Sequence, residues 1–338
     1  MSLWRYIIRR LLLVFPVLLG VIILIFTIAY VIPADPAREW AGPHAREEQV
    51  QALAERYHLN DPLYVQLGYY IWNLLHGDFG VSPTTHRAVL KDLITYFPAT
   101  FELAMIAFFF AVFVGIPLGA ISAIKRNSWI DHASRVFSLI GVSTPIFWSA
   151  LLLQFFFYYR LNWLPSGGRI SVEIHNITGF VLLDSLLQGN LTAFGDALRH
   201  FILPAFTLGF WIMGYIVRIT RSSMLEVLGA EYIVTARAKG LPSWILHFRH
   251  AFRNAVIPPL TVLGIQFGWL IAGSVLLETI FAWPGMGRYA AGSIVLIDLP
   301  AMVGYTLVVA LMMILSNLFI DILYSIIDPR IRMGEKAR

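Results

Sequence analysis

Three carboxyl side chains stand inside or beside strongly apolar stretches, where a charge is costly. Glu278 and Asp321 lie within candidate membrane spans, and Glu102 lies near the end of another. A charge in hydrocarbon costs several kcal/mol unless it is paired or solvated. These residues could therefore line an aqueous path or pair between helices. The alternative is that Glu278 lies at the outer end of its span, near Trp283, and Asp321 at the inner end of its own.

Sequence patterns for catalysis or cofactor binding are absent. The chain has no G-x-x-x-x-G-K-[ST] phosphate loop and no H-E-x-x-H pair. It has no cysteine, which excludes a disulfide, a thiolate metal site and a cysteine nucleophile. Four histidines lack ligand spacing, so surface positions are favoured over a metal site; they are His44, His58, His76 and His86. We predict no catalytic residue, cofactor site or metal site on this chain.

The segment Glu231–Pro259 is basic and helix-prone, and it lies between two apolar stretches. A helix with small residues on one face could enter a shallow cleft on a partner, with Arg237 and Lys239 at the rim. Gly240 would let the chain turn, and Pro242 fits the first turn of a second helix because its missing N–H costs little there. The simpler alternative is a basic cytoplasmic loop that only sets topology.

The composition indicates a membrane protein. Of 338 residues, 58% are hydrophobic and 13% are charged, which does not suit a soluble domain. The net charge of +5 could indicate nucleic-acid binding, but basic cytoplasmic loops are the commoner explanation, so we predict a lipid bilayer and no nucleic acid. A hydrocarbon core of about 30 Å needs roughly 20 apolar residues of helix. We therefore predict an all-α integral membrane protein with six transmembrane helices: Leu11–Val31, Ala99–Ile124, Val136–Tyr159, Phe201–Ile219, Leu260–Phe281 and Ala301–Ile326.

The distribution of Lys and Arg predicts the orientation. Most of the 25 basic residues fall in segments that are cytoplasmic if the N-terminus is inside. Both termini and the loop 221–259, between spans four and five, should then be cytoplasmic. The segment Pro33–Pro98 should be external and helical. One of its helices should follow Pro62 and pack on the membrane surface or on the outer ends of the spans, through an apolar side formed by Leu63, Leu67, Tyr70, Ile71 and Leu74.

Small residues and prolines within the spans predict how the helices pack and bend. The pairs Gly115/Gly119 and Gly264/Gly268 have small-xxx-small spacing, which favours close helix packing within the chain or with a partner. Three prolines should kink their spans, namely Pro117, Pro145 and Pro204.

Several weak motifs occur along most of the chain in a fixed order. They are Ile32–Pro36, Leu59–Tyr64, Gly77–Gly80, Thr235–Gly240, Arg249–Ala255, Glu278–Arg288, Asp321–Tyr324 and Asp328–Arg332. Their order resembles the inner-membrane permease subunits of ABC importers, in the dipeptide/oligopeptide/nickel permease family. The resemblance implies ATPase coupling by the residues Glu231, Thr235, Ala236, Arg237, Ala238, Lys239, Gly240, Arg249 and Arg253.

The same resemblance implies a setting for the chain. It would lie in a bacterial or archaeal inner membrane and form half of a pathway for di- or oligopeptides, with nickel, glutathione or an oligosaccharide as alternatives. Its partners would be a second homologous permease, cytoplasmic ATPases that carry ATP and Mg, and an external solute-binding protein. Residues 1–32 would form the N-terminal tail and first span, 33–98 the external segment, and 99–338 the permease core.

A function of a different class is an integral-membrane lipid-modifying enzyme. Such an enzyme would need polar catalytic residues clustered at one membrane interface. No such cluster is apparent in the sequence.

Overall fold

A computed structural model describes residues 3–28, 35–42 and 44–327, and within these ranges the chain is mainly helical. The only β-type pairing among them is an isolated bridge between Val81 and Ala88. The α-helices are α1 (Leu3–Phe26), α2 (Pro36–Ala41), α3 (Glu47–Arg56), α4 (Leu63–Leu75), α5 (Val89–Ile124), α6 (Trp129–Ser143), α7 (Ile146–Leu153), α8 (Val181–Leu187), α9 (Leu191–Leu228), α10 (Glu231–Ala238), α11 (Arg253–Ala255), α12 (Ile257–Gly273), α13 (Val275–Ile280), α14 (Met286–Val295) and α15 (Leu299–Ile327). Two π-helical segments, π1 (Gln154–Arg160) and π2 (Ile245–Phe252), follow α7 and precede α11.

Three described helices are long and apolar enough to cross a membrane: α5, α9 and α15. As candidate spans, they overlap the predicted second, fourth and sixth spans. With 36 and 38 residues and a rise of 1.5 Å per residue, α5 and α9 are about 54 and 57 Å long, so both extend well beyond a hydrocarbon core. The predicted first span overlaps the shorter apolar stretch Leu11–Phe26, and its last residues lie outside the described ranges.

The predicted span Val136–Tyr159 is divided at Pro145, where the sequence predicts a kink. α6 ends at Ser143, and the helix formed by α7 and π1 leaves it at an angle of 106°. Thr144 has an extended backbone (ψ 126°) because a residue before proline avoids the helical region. Pro117 and Pro204 lie inside the continuous helices α5 and α9, so of the three prolines only Pro145 coincides with a break.

The predicted span Leu260–Phe281 is also divided. Its main helix, α12, begins at Ile257 and meets the preceding helical segment Ile245–Ala255 at an angle of 47°. After α12 ends at Gly273, the short helix α13 carries the chain to Ile280. Counting each bent pair as one span gives up to five spans among the described residues, so the predicted number of six stays a prediction.

Small residues bring the long helices together, as the glycine spacing predicts. A Cβ added at Gly119 would lie 2.7 Å from both the Thr220 Cβ and the Val217 carbonyl oxygen on α9. At Gly264 an added Cβ would overlap Ile320 on α15. Side chains larger than hydrogen would therefore push these helix pairs apart, and this packing lies within the chain.

The segment between α1 and α5 packs on the beginning of α15. Its helix α4 contributes Tyr70, which is buried against Phe26 of α1 and near Val303 of α15. This arrangement confirms that α4 packs on the ends of long helices, although Leu63, predicted on its apolar side, is half exposed. The Asp78–Gly80 triplet is a turn, since the Gly80 N–H donates to Asp78 Oδ1 over 2.9 Å and Gly80 has φ +87°.

Candidate functional site

Helix α10, the turn at Gly240 and segment π2 form a bent protrusion beyond α9, which we call the elbow. Its base is an apolar cluster in which Ile233 of α10 and Leu246 of π2 are almost completely buried. The other buried members are Ala251 of π2 and, from neighbouring elements, Ala123 of α5, Met224 of α9 and Ala255 of α11. A short helix of eight residues is marginal by itself, so this packing is what holds α10 in place.

The turn of the elbow is built by hydrogen bonding at the end of α10. The Gly240 N–H donates to the Arg237 carbonyl over 3.0 Å, and the Leu241 N–H donates to the Ala236 carbonyl over 3.4 Å. Gly240 has φ +77°, so these bonds form a Schellman motif with glycine at the left-handed position. Only a residue that tolerates positive φ can end α10 this way.

The face of the elbow that points away from the cluster carries most of the predicted coupling residues. The exposed ones are Glu231, Thr235, Arg237, Ala238, Lys239, Gly240, Arg249 and Arg253. Ala236 differs, because it is half-buried against this chain's own cluster. A hydrogen bond of 2.9 Å from Asn254 Nδ2 to the Tyr232 hydroxyl joins α11 to α10. Among the described residues, none of the exposed charges of the elbow forms an ion pair.

An ion pair that the sequence did not reveal fixes the end of α9 nearest the elbow. Arg221 binds the fully buried Asp131 of α6 through Nε at 2.6 Å and Nη2 at 2.9 Å. Ser122 of α5 and the Asn127 N–H donate to the same carboxylate. Ser128 followed three residues later by Asp131 is a helix-start signal, but nothing in the sequence pairs it with a residue on α9.

Glu278 is buried where α13, α14 and α5 meet. Its carboxyl group accepts hydrogen bonds from Thr100 Oγ1 and Ser274 Oγ, both at 2.8 Å, and from the Arg288 N–H at 3.0 Å. The Met286 N–H donates to Thr100 Oγ1. The first N–H groups of a helix lack partners within it, so Glu278 and Thr100 together cap α14. The expected nearness to Trp283 is found, since its N–H donates to the Glu278 carbonyl.

Glu102 caps the N-terminus of α8 in the same way. It accepts hydrogen bonds from the Val181 and Leu182 N–H groups, at 3.1 and 2.9 Å, and is paired with Arg169. Arg169 also donates to the Gly179 carbonyl over 2.7 Å. The sequence indicated Glu102 but not its partner, which lies in the loop before α8. Asp321 lies on α15, and its side chain is outside the described part of the structure.

The described residues contain no group of three or more His, Asp or Glu side chains that could hold a metal ion. His58 is bonded to Asp61 over 2.9 Å, and His76 to the Trp72 carbonyl over 2.8 Å. Each of these two histidines, which were predicted to lie at the surface, is therefore hydrogen-bonded to a residue close to it in the chain.

A cavity of about 320 Å³ lies at the break between α6 and α7. We call it the break groove. It is lined by Val142, Ser143, Thr144, Pro145 and Ile146 of the break, by Leu208 and Trp211 of α9, and by Trp269 and Leu270 of α12. Its lining is apolar and aromatic with two hydroxyl groups, and it contains no charged residue.

Comparison with known proteins identifies the family. Residues 115–333 match the family described as binding-protein-dependent transport system inner membrane component, and residues 3–104 match the N-terminal family of such membrane components. The chain belongs to this permease family. The resemblance seen in the motifs is thereby confirmed, and the chain is a transport subunit of an ABC importer, not an enzyme.

Several curated relatives are similar over nearly their whole length. The probable D,D-dipeptide transport system permease protein DdpB of Escherichia coli strain K12 is 47% identical over 321 residues, 94% of each chain. The dipeptide transport system permease protein DppB of Alkalihalophilus pseudofirmus is 44% identical over 97% of this chain and 99% of its own. DppB of Escherichia coli strain K12 is 43% identical over 97% and 98%.

Proposed function

We propose that this permease forms half of the translocation pathway for di- and oligopeptides and that its elbow docks into a cytoplasmic ATPase. The geometry of the elbow carries the coupling part of the proposal. A rigid base and a Schellman turn present an exposed helix whose basic residues have no ion-pair partner among the described residues. Such a surface suits a cleft with acidic groups on a partner.

The substrate class is supported by two observations. The relatives reported above are named as dipeptide transport permeases. The break groove has a volume of about 320 Å³ and no charged lining residue, which suits a path that admits peptides with different side chains. Nickel, glutathione or an oligosaccharide remain the alternatives.

The proposed assembly contains a second homologous permease, ATPase subunits that bind ATP and Mg, and an external solute-binding protein. In this assembly both termini and the elbow face the cytoplasm, and the segment between α1 and α5 faces outwards in a bacterial or archaeal inner membrane. The excess of Lys and Arg in the cytoplasmic segments supports this orientation.

The docking part of the proposal is tested by filling the exposed face of α10. Ala238→Trp adds bulk at an exposed position, so it should not disturb the apolar cluster of the elbow. Overfilling a packed contact costs about 1–3 kcal/mol, so ATP hydrolysis stimulated by the loaded binding protein should fall about tenfold, with reduced co-purification of the ATPase.

The matched control is Ala52→Trp, the same substitution at an exposed position of α3. It should leave ATPase co-purification unchanged. Wild-type stimulation in Ala238→Trp would show that this face is not the docking surface.

A further inference from the structure

The break groove offers hydrogen-bond acceptors to a ligand, among them backbone carbonyl groups at the end of α6. The helical partner of the Gly141 carbonyl would be the N–H of residue 145, which is a proline and has none. After the break, the N–H groups of Trp148 and Ser149 donate to the Pro145 carbonyl and not to carbonyl groups of α6. The last carbonyls of α6 therefore lose their usual helical donors.

The hydroxyl group of Thr144 adds to this acceptor character. Its proton is committed to the Ile140 carbonyl over 2.7 Å, so its oxygen offers lone pairs to the groove. The C-terminal end of a helix also carries partial negative charge, which favours a cation. Irregular backbone at membrane depth is tolerated where it lines a cavity, and broken helices of this kind are found at transporter substrate sites.

Two tryptophans supply the other walls. Trp269 of α12 is about half exposed, and Trp211 of α9 is half-buried. The face of an indole ring attracts an ammonium group more strongly than the other aromatic rings do. No charged residue lines the groove. A ligand held here by carbonyl groups and ring faces should therefore carry a positive charge and several hydrogen-bond donors.

We propose that the break groove binds the α-ammonium end of a peptide during translocation. This proposal rests on the proposed peptide-transport function and assigns the groove a part in it. An α-amino group has a pKa of about 7.7–8.0 and is mostly charged at neutral pH. It donates three hydrogen bonds and fits a cavity of this size together with the first side chain.

The test uses the absence of cysteine in the chain. Ser143→Cys places a single thiol in the groove of the assembled transporter, reconstituted in nanodiscs with its partner permease and ATPases but without the binding protein. Alkylation by a maleimide is timed with millimolar L-alanyl-L-alanine or its N-acetyl derivative present. Ala52→Cys, on α3, is the matched control for reagent effects.

The free dipeptide should slow alkylation of Ser143→Cys at least fivefold, and the N-acetyl derivative less than twofold. Adding Trp269→Leu should raise the dipeptide concentration needed for protection about tenfold, as expected for a partly desolvated cation–π contact. Trp269→Phe should restore part of the protection. Trp148→Leu, which removes an exposed tryptophan outside the groove, should have no effect.

Equal protection by both peptides would overturn the ammonium assignment and leave a peptide path in place. Protection by neither would overturn the proposal, because the groove of the assembled transporter would then not bind the dipeptide. Should Ser143→Cys fail to assemble, Val142→Cys reports on the same groove. Failure of the proposed function would appear separately, as absence of ATP-dependent dipeptide uptake by the wild-type transporter.

Discussion

The α8 and α14 caps and the elbow use charged residues in opposite ways. At the caps, Glu102 and Glu278 are buried and their oxygens accept hydrogen bonds from helix N-termini 79 and 10 residues away along the chain. At the elbow, Arg237, Lys239 and Arg249 are exposed, and only the apolar side of the helix is used inside the fold. A region whose polar groups are satisfied internally has little left for a partner, whereas the elbow keeps its charges available.

The Asp131–Arg221 pair lies between a region whose charged groups are buried and the elbow, whose charged groups are exposed. It closes α6 onto α9 a few residues before the elbow begins. The base of the elbow is packed in an apolar cluster, and its charged residues lie on its exposed face.

The largest expected effect is the loss of this ion pair. Arg221→Met would leave the buried Asp131 with hydrogen bonds from Ser122 and the Asn127 N–H but with Arg135, at 3.7 Å, as its nearest remaining cation. Breaking a buried pair costs about 3–5 kcal/mol. We expect a strong fall in the melting temperature of the purified protein. Arg218→Met, at an exposed arginine one turn earlier, is the control. Equal melting temperatures of the two variants would contradict the structural role of the pair.

Removal of the Glu278 carboxyl group should come next. Glu278→Ala would leave Thr100, Ser274 and the Arg288 N–H without their acceptor. Each buried unsatisfied group costs about 1–3 kcal/mol, so the total should reach about 3 kcal/mol. Glu278→Gln keeps the size and one acceptor and should be milder. Differential scanning of both variants checks this order, and an unchanged melting temperature for Glu278→Ala would refute it.

Gly240→Val should have a smaller effect on stability and a large effect on coupling. A β-branched residue at φ +77° costs about 1–2 kcal/mol, which should distort the turn without unfolding the base. Gly240→Asn, which tolerates the left-handed conformation, should retain more binding-protein-stimulated ATP hydrolysis. If Gly240→Val hydrolyses ATP at the rate of Gly240→Asn, the geometry of the turn does not matter for coupling.

The smallest expected effect concerns Asp184 on α8, outside the long helices. Burial alone would raise the pKa of Asp184, but hydrogen bonds from Thr178, Ile177 and Gly179 hold that pKa below its ordinary value. The stabilisation is therefore present above about pH 4 and is lost as the pH falls through the folded-state pKa. Asp184→Asn should lower the local stability of residues 177–184 by about 1 kcal/mol at pH 7. Their amide exchange should therefore be faster.

The difference between Asp184→Asn and wild type should shrink at lower pH. A difference that stays constant down to pH 3 would contradict the assigned hydrogen bonds. Amide exchange at the elbow, where charges are exposed, serves as the reference.

The sequence was sufficient for features that depend on neighbouring residues. Apolar runs located α5, α9 and α15, because burial of helix in hydrocarbon needs a continuous stretch of about 20 residues. Gly240 predicted the turn, because its freedom at positive φ is a property of the residue itself. The order of the motifs identified the family, which the comparisons confirmed. The roles of the coupling residues and the orientation stay predictions.

Only the tertiary structure decided which polar groups meet. Thr100 and Glu278 are 178 residues apart, and Asp131 and Arg221 are 90 apart. A hydrogen bond of this kind depends on how whole helices pack, and one sequence carries no local signal for it. The same reason explains why the size of the bend within Val136–Tyr159 was not predicted. The sequence predicts a kink at Pro145, but the angle of 106° is a property of the tertiary structure, in which α9 and α12 supply the other walls of the break groove.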